Sequence, residues 1–440
     1  MASKSLTGQL KDKLIQQALE RKLKKTESEH HGVNPLTARA DIPEAWYQFD
    51  QYPGYKQLQI IYKGGAQFGI ASPFFRIHDG IAGATSQING KSYINYASYN
   101  YLDLSGDSRV SAVAKAAIDQ YGTSVSASRL VSGERPIHRQ LEAALAETYG
   151  VDDAVVMVSG HATNVTTIGY LFGANDLILH DELVHNSTLV GAQLSGAKRL
   201  PFPHNDYAAL DTLLTEQRRH YERVLIVIEG LYSMDGDYPN LPEFIDIKQK
   251  HRAFLMVDEA HSFGVMGKGG LGLREFFKID GKAVDIWMGT LSKSLAGCGG
   301  FIAGESALIE HLKFLAPGFL YSVGMPPQVA APALAALSIL KQEPERAQRL
   351  QARSEYFLAA AKAAGIDTGH SRGIAIIAAI TGSSINAARL SQALFQKGIN
   401  VQPILYPAVP EKSARLRFFI SCEHTPQQID ETIQAYCEER

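Results

Sequence analysis

The sequence predicts an α/β fold, with a mainly parallel central sheet covered by helices on both faces. From about residue 105, helical patterns alternate with short, almost wholly apolar segments. Strands of that kind are typical of parallel sheets that are buried on both faces. Polar residues also follow several of these segments directly. Because such sheets bind ligands beyond the carboxyl ends of their strands, the same pattern indicates where a functional site lies.

The central part of the chain supplies the elements of this predicted sheet. Its strands are expected at AVVMVS (154–159), LILHD (177–181), RVLIVIEG (223–230), AFLMVDEA (253–260) and DIWMGTL (285–291). Helical patterns such as VSAVAKAAIDQYG and HRQLEAALAETYG precede them. We therefore assign residues 76–330 to one large domain.

The C-terminal part predicts a smaller α+β domain, residues 331–440. Helical patterns resume after the adjacent prolines at 326 and 327, in AAPALAALSILKQ and RSEYFLAAAKAAG. Two short apolar segments, GIAIIAAIT and LRFFIS, separate and follow helical stretches and are expected to be strands.

The N-terminal 75 residues are predicted to be an extension that begins with a helical arm. Leucines recur at helical spacing over residues 6–25, which predicts an amphipathic helix. That helix would pack on its own subunit or a dimer mate; a partner-docking or membrane-surface helix is the alternative. Residues 26–41 are polar and indicate a linker. The following segment, AWYQFDQYPGYKQLQIIY, is rich in aromatics and is expected to be ordered.

Composition excludes several classes of function. The 440-residue chain carries 43 basic and 45 acidic residues, a formal charge of -2 that favours neither nucleic acid nor anionic membranes. Its three cysteines lack the spacing of a metal site or a disulfide scaffold. We find no signal-peptide pattern and no apolar run long enough to span a bilayer. The sequence thus predicts a cytoplasmic protein with no metal and no transmembrane segment.

Polar groups at the predicted strand ends suggest a specific chemistry. Asp258 follows a buried strand, where an ionised carboxylate needs a cationic or protonated partner. His261 comes three residues later, and Lys293 follows the next strand. The segment SGHATN (159–164) turns a strand into a helix with small residues, so its N–H groups can face an anion. An anion cradle, a buried carboxylate and a reactive amine are what pyridoxal phosphate (PLP) requires.

Each of these features has an ordinary alternative when it is taken alone. SGHATN can be a simple helix cap, and an isolated lysine is commonly a solvated surface charge. The letters DEAH also occur in ATP-dependent helicases. The helicase interpretation fails because the chain contains no GxxxxGK[ST] phosphate loop.

From about residue 75 onward, the order of motifs resembles the α-oxoamine synthase family of fold-type-I PLP enzymes. The matching blocks are NYLDLSGD, GTSVSASRLVSGERPIHRQLE, SGHATN, HDELVHNS, IEGLYSMDGD, VDEAHSFGVMG, GTLSKSLAGCGG, FLYSVGMPP and ARLRFFISCEHT. They occur in family order over more than three hundred residues. The resemblance implies a PLP-dependent enzyme and a homodimer with shared active sites.

The resemblance also implies roles for individual residues. Lys293 matches the lysine that holds PLP and later moves the proton of the substrate's Cα. Asp258 matches the partner of the ring nitrogen, His261 a neighbour of the ring hydroxyl, and His185 the histidine stacked on the ring. Without the resemblance, His185 would be assigned to a surface or capping role. Further cofactor contacts are implied for Ser159, Gly160, His161, Ser233, Thr290, Ser292 and, donated by the other subunit, Ser322.

Two positions match residues that contact the amino-acid substrate. Arg417 matches the arginine that receives the carboxylate, a role that suits its bidentate fork. Arg415 is the alternative ligand, otherwise expected at the surface. Asn100 matches an asparagine near the substrate, and a turn residue is the equally simple interpretation.

The implied reaction is a decarboxylating Claisen-type condensation of serine, glycine or alanine with an acyl thioester carried by CoA or an acyl-carrier protein. The chain has GTSVSASRL and NYLDL where many members have glycine-richer blocks. FLYSVGMPP and SASRLVSGER are more similar to versions fused to polyketide synthases, which favours a carrier-protein or long-chain acyl donor. An aminotransferase and a non-catalytic partner subunit are the alternatives, the latter disfavoured because Lys293 is present.

Overall fold

The computed structural model describes residues 42–67 and 69–440, and a seven-stranded sheet forms its centre. Its strands lie in the order β4-β10-β9-β8-β7-β5-β6, and β10 alone in this sheet runs antiparallel to its neighbours. The strands are β4 (Asp153–Met157), β5 (Leu177–Asp181), β6 (Lys198–Phe202), β7 (Val224–Glu229), β8 (Phe254–Asp258), β9 (Ile286–Thr290) and β10 (Gly300–Gly304). The predicted α/β class and mainly parallel sheet are confirmed.

Helices cover both faces of this sheet because its strands are apolar on both sides. In β7, Ile226 and Ile228 join one core cluster, whereas Leu225 and Val227 join the other. The helices are α1 (Pro53–Gln67), α2 (Ser108–Tyr121), α3 (Pro136–Tyr149), α4 (Gly160–Leu171), α5 (Asn186–Ser195), α6 (Tyr207–Gln217), α7 (Leu241–His251), α8 (Leu273–Phe277), α9 (Ser306–Leu315), α10 (Pro317–Leu320), α11 (Pro327–Gln342), α12 (Glu345–Ala363), α13 (Ser384–Gln396) and α14 (Pro426–Glu439).

Two smaller sheets lie outside the central one. The first contains β1 (His78–Asp79), β2 (Thr85–Ile88), β3 (Lys91–Asn95) and β12 (Ile399–Asn400), with β12 parallel to β3. The second is antiparallel and contains β11 (Ile376–Ile380), β14 (Arg415–Phe419) and β13 (Gln402–Ile404). The first sheet therefore joins residues near 90 to residues near 400, a pairing that the sequence pattern did not indicate.

The N-terminal region of the chain is described from residue 42 onward. The aromatic segment after residue 42 contains the helix α1, as an ordered extension requires. The amphipathic helix predicted over residues 6–25 and the linker over 26–41 lie outside the described residues. Within the ranges that the structure describes, no helix is both long and apolar enough to cross a membrane.

Candidate active site

The carboxyl ends of the parallel strands meet at one edge of the central sheet and form the floor of a cavity. Glu229 at the end of β7 is in register with Asp258 at the end of β8. Gly300, at the start of the antiparallel β10, pairs with Thr290 at the end of β9. The cavity above this edge has a volume of about 390 Å³.

Most of the residues expected at the site line this cavity. They are Ser159, Gly160, His161, His185, Ser233, Asp258, His261, Thr290, Ser292, Lys293 and Arg417. Asn100 and Ser322 are not among the lining residues. Tertiary structure thus brings together side chains from six separate segments, as the strand-end argument predicts.

The N-terminus of α4 forms one wall of the cavity. Ser159 is its N-cap residue, and the Ser159 hydroxyl accepts a hydrogen bond from the N–H of Ala162 at 3.4 Å. The N–H groups of Gly160 and His161 belong to the first turn, so no carbonyl of the helix can accept from them. These two donors at the positive end of the helix dipole are suited to bind a phosphate.

Glycine at position 160 is required by the close approach of β9. A Cβ atom there would lie 2.9 Å from the Oγ1 of Thr290. Thr290 is held in place because its hydroxyl donates to the carbonyl of Gly299 at 2.9 Å and contacts the hydroxyl of Ser292 at 2.6 Å. The helix start and the two hydroxyls therefore form one polar corner of the cavity.

Asp258 is a buried carboxylate fixed by two donors. Its Oδ2 accepts from the side-chain amide of Asn164 at 2.8 Å, and its Oδ1 accepts from the N–H of Ala260 at 2.9 Å. The side chain of Asn164 is also bound to Ser187, at 2.9 Å from its hydroxyl. Asn164 lies on α4, one turn after the phosphate-facing N–H groups, so one helix positions both ends of the cavity.

Lys293 projects into the cavity from the loop after β9. Burial lowers the pKa of Lys293 to about 8, although the carboxylates of Asp258 and Glu229 act in the opposite direction. Its ammonium nitrogen lies 5.5 Å from the centre of the Tyr99 ring. A lysine with this pKa is partly neutral near pH 7 and therefore more nucleophilic than a solvated lysine.

Of the three histidines that line the cavity, His185 and His261 come from two other elements than His161 on α4. The Nδ1 of His261 lies 2.8 Å from the hydroxyl of Tyr101, and burial lowers the pKa of His261 well below its usual value, so its ring is neutral. His185 is the N-cap residue of α5, where its Nδ1 accepts from the N–H of Ser187 at 3.2 Å. The capping role expected from the sequence and a place in the cavity are thus compatible for His185.

The structure separates the two candidate arginines. Arg417 lines the cavity, its Nη1 donates to the carbonyl of Ser233 at 3.0 Å, and its buried Nε has no partner among the described residues. Arg415 is not a surface residue, contrary to the expectation: it is buried, and its Nη1 is 2.6 Å from the Oδ1 of Asp235. Arg415 is therefore used in an internal ion pair, and Arg417 is available for an anion.

Asn100 has the geometry of a turn residue. Its side-chain amide donates to the carbonyl of Ala82 at 3.3 Å and to Asp103 at 3.2 Å, while its Oδ1 accepts from the N–H of Ser105. Ser322 does not line the cavity; it lies between α10 and α11 and is partly buried between the exposed Tyr321 and Val323.

The structure adds residues that the sequence analysis did not select. Glu229 is buried beside Asp258, its Oε1 has no partner among the described residues, and burial raises its pKa well above the usual range. Tyr99 and Asn164 also line the cavity. Glu229 stands at the end of a predicted strand, as Asp258 does, so the strand-end argument could have selected it. Asn164 is the last residue of the SGHATN segment already singled out, whereas no comparable signal marks Tyr99.

The lining residues fit PLP. The helix start and the hydroxyls of Thr290 and Ser292 supply donors for its phosphate. The close approach at Gly160 leaves the polar corner open, because a Cβ atom would fill it. At the other end, the anchored carboxylate of Asp258 matches a protonated ring nitrogen, and Lys293 lines the same cavity and can supply the amine for an aldehyde.

Comparison with known proteins agrees with this arrangement. A family model described as aminotransferase class I and II matches residues 91–435. The 8-amino-7-oxononanoate synthase of Fervidobacterium nodosum is 41% identical over 351 residues, or 79% of this chain and 88% of that enzyme. The corresponding enzyme of Symbiobacterium thermophilum is 40% identical over 351 residues, covering 80% of this chain and 89% of its own.

Among solved structures, a serine palmitoyltransferase from S. paucimobilis with bound PLP and myriocin is similar in fold and sequence. It superposes with a TM-score of 0.84 at 30% identity. The alignment covers 88% of this chain and 97% of that chain.

Proposed function

The chain belongs to the aminotransferase class I and II family, and from that premise we infer that it is a PLP-dependent acyltransferase of the α-oxoamine synthase type. It condenses a small α-amino acid with an acyl thioester. The amino-acid carboxylate leaves as carbon dioxide, the thiol carrier is released, and an α-aminoketone is formed. The observation that carries this function is the convergence of Lys293, Asp258 and Arg417 on one cavity beside a helix start.

Bound PLP would supply an aldehyde for an amine and a ring that withdraws electrons from the substrate's α-carbon. Asp258 would keep the ring nitrogen protonated, because its carboxylate is itself held by Asn164 and Ala260. His261 would donate or accept at the ring hydroxyl through Nε2, since Tyr101 already binds Nδ1. His185 would cover one face of the ring.

Arg417 would bind the carboxylate of the incoming amino acid, because its guanidinium lacks an anionic partner in the cavity. Lys293 would be the amine that holds the aldehyde of PLP and, when free, the base that takes the proton from the substrate's Cα, since it lines the same cavity as Arg417. Burial suits Lys293 to this step, since a pKa of about 8 leaves part of the amine unprotonated near neutral pH.

We propose serine, glycine or alanine as the amino acid and a carrier-protein or long-chain thioester as the acyl donor, with CoA as the alternative carrier. The blocks FLYSVGMPP and SASRLVSGER support this choice, because they resemble the versions fused to polyketide synthases. Turnover of one acyl chain on CoA and on a carrier protein decides between the carriers. A clear preference for free CoA would contradict the carrier-protein proposal.

The reaction type is tested by mixing purified protein, PLP, one amino acid and an acyl thioester. We expect thiol release and carbon dioxide in equal amounts, each dependent on both substrates. An aminotransferase would instead form a keto acid with no thiol released. Protein that fails to acquire a visible absorbance band with PLP would contradict the enzyme assignment and favour a non-catalytic partner subunit.

We also propose a homodimer in which Ser322 reaches the phosphate site of the other subunit. Ser322 lies between Tyr321 and Val323, whose side chains are 83% and 52% exposed. Val131, in the GTSVSASRLVSGER block, is 81% exposed. Large apolar side chains exposed in this way favour an interface with a second copy.

A cytoplasmic location is the proposal most compatible with the cysteines. Cys298, Cys422 and Cys437 are all free thiols in the structure. Free thiols are ordinary in a reducing compartment and uncommon in secreted proteins. Fractionation of cells that express the chain would test the location directly.

A further inference from the structure

His204 is a histidine outside the cavity that joins two carboxylates. It follows β6, and only 13% of its side chain is exposed. Its Nδ1 lies 3.0 Å from the Oδ1 of Asp181, and its Nε2 lies 2.8 Å from the Oδ2 of Asp237. Both carboxylates are almost fully buried, at 0% and 7% side-chain exposure. None of the three residues lines the cavity.

This geometry requires a protonated imidazole. A carboxylate only accepts hydrogen bonds, so each of the two ring nitrogens of His204 must donate. Burial alone would lower the pKa of His204, but the hydrogen bonds to Asp181 and Asp237 outweigh it and raise the pKa to about 10. His204 is thus a fixed cation at neutral pH, and the edge of its ring packs against Tyr232 with centroids 4.5 Å apart.

The two carboxylates belong to two segments that carry cavity residues. Asp181 ends β5, and its Oδ1 also accepts from the N–H of Leu183 at 2.9 Å, which fixes the turn leading to His185. Asp237 lies in the loop between β7 and α7, residues 230–240. The carbonyl of Asp237 accepts from the N–H of Tyr232 at 2.8 Å, which closes the loop that presents Ser233.

The neighbouring Asn205 also binds the two carboxylates. Asn205 donates to both carboxylates, through its N–H to Asp181 at 2.7 Å and its side-chain amide to Asp237 at 3.0 Å. Asn205 therefore adds hydrogen bonds to the two carboxylates, but its neutral side chain does not offset their negative charge. Without the imidazolium, two buried carboxylates would face each other across the junction of the segments, which is strongly unfavourable.

We propose that His204 is a positioning residue, which holds the β5–α5 turn and the 230–240 loop together so that His185 and Ser233 meet the cofactor in the correct geometry. The inference rests on the proposed function, because it assumes that PLP binds the cavity. It assigns to His204 a role in cofactor binding although His204 does not line the cavity.

The test compares His204→Asn with His251→Asn as a matched control. His251 forms a similar ion pair, with its Nε2 2.6 Å from the Oδ1 of Asp211 and 10% side-chain exposure, and neither residue lines the cavity. Each protein is freed of cofactor and titrated with PLP. Visible absorbance gives the dissociation constant, visible circular dichroism reports the asymmetric setting of the bound ring, and thermal unfolding reports stability.

We expect His204→Asn to raise the dissociation constant for PLP by about tenfold or more and to weaken the circular dichroism per bound cofactor, since buried charge-assisted bonds are lost. His251→Asn should change both by less than about twofold, even where it lowers thermal stability. Equal PLP binding and equal circular dichroism in both variants would overturn the inference.

A milder variant covers the case in which His204→Asn does not fold. Asp237→Asn keeps the shape of the bridge and removes one charge, and it should change the same two readouts in the same direction by a smaller factor. Unchanged readouts in folded Asp237→Asn would contradict the proposal. Wild-type protein that binds no PLP would instead overturn the proposed function, so the two failures are distinguishable.

Discussion

At the scale of single residues, the partner of a side chain decides its role. Arg415 and Arg417 are two positions apart on β14, so their side chains emerge on the same face of the strand. Arg415 meets Asp235, at 2.6 Å, and its charge is neutralised inside the protein. Arg417 meets carbonyl and sulfur atoms of Ser233 and Met234, and its charge is left for a ligand.

Replacing each arginine by methionine should separate these roles. Arg417→Met should raise KM for the amino acid by about tenfold or more. The stability of the cofactor-free variant should be unchanged or slightly higher, because burial disfavours the unpaired cation. Arg415→Met should lower the free energy of unfolding by about 3 kcal/mol, since it leaves Asp235 buried and unpaired. Kinetics and denaturant unfolding measure the two effects; equal KM values in both variants would contradict the assignment.

The lowered pKa of Lys293 predicts how cofactor loading depends on pH. The neutral amine is the reactive form, and its fraction rises as pH passes through a pKa of about 8. The rate at which cofactor-free protein forms the lysine–PLP linkage should therefore increase between about pH 7 and 9 and then level off. Stopped-flow absorbance measures this rate. A rate that still rises above about pH 10 would indicate an ordinary solvated lysine instead.

At the scale of elements, close packing between β10, β9 and α4 shapes the phosphate end of the cavity. A Cβ atom on Gly300 would lie 2.7 Å from the Cα of Gly160, and one on Gly160 would lie 2.9 Å from the Oγ1 of Thr290. The helix start can approach the strands only because these positions lack side chains. Its first N–H groups thereby reach the same corner as the hydroxyls of Thr290 and Ser292.

This packing predicts that alanine substitutions at two glycines, one near each end of α4, have different effects on PLP binding. Gly160→Ala should push the start of α4 away from Thr290 and weaken PLP binding by about tenfold. Gly173, just beyond the C-terminus of α4, has no atom within 4 Å of an added Cβ, so Gly173→Ala should bind PLP as the wild type does. Absorbance titration of the two cofactor-free variants makes the comparison. Similar losses of PLP affinity in both variants would show that the close contact with Thr290 does not limit the position of the helix start.

At the scale of the whole molecule, the cavity lies where the central sheet meets segments from the C-terminal third of the chain. Arg417 reaches the cavity from the three-stranded sheet, whereas Lys293 and Asp258 come from the seven-stranded sheet. Ser322 lies outside, on a segment with exposed apolar neighbours. The site of one chain therefore combines two sheets, and the proposed dimer would complete it.

The proposed dimer predicts the effect of a charge in the exposed segment. Tyr321→Glu should yield monomers and reduce PLP occupancy, because a carboxylate would be buried in the interface. Tyr356→Glu, at another partly exposed tyrosine on α12, should leave the oligomeric state unchanged. Light scattering after size-exclusion chromatography gives the mass. A wild type that is already monomeric, or a dimeric Tyr321→Glu, would contradict the proposed interface.

The α/β class, the bounds of most central strands to within two residues and the residue types at the strand ends can all be predicted from the sequence alone. This is possible because a strand that is apolar on both faces and ends in a polar residue is a pattern contained within a few consecutive residues. LILHD at 177–181 matches β5 in both bounds, and Asp258 ends β8 as expected. The strand β10 was not predicted, since GFIAG follows a glycine-rich loop and has no pattern of its own.

The partners of the polar residues, in contrast, are set by tertiary packing and cannot be predicted from the sequence. Asp235 neutralises Arg415 across 180 positions of sequence, and Asp237 reaches His204 across 33. The pairing of β3 with β12 likewise joins residues some 300 positions apart. The physical reason is that charge and burial act over a few ångströms in space, where packing, and not sequence order, sets the neighbours.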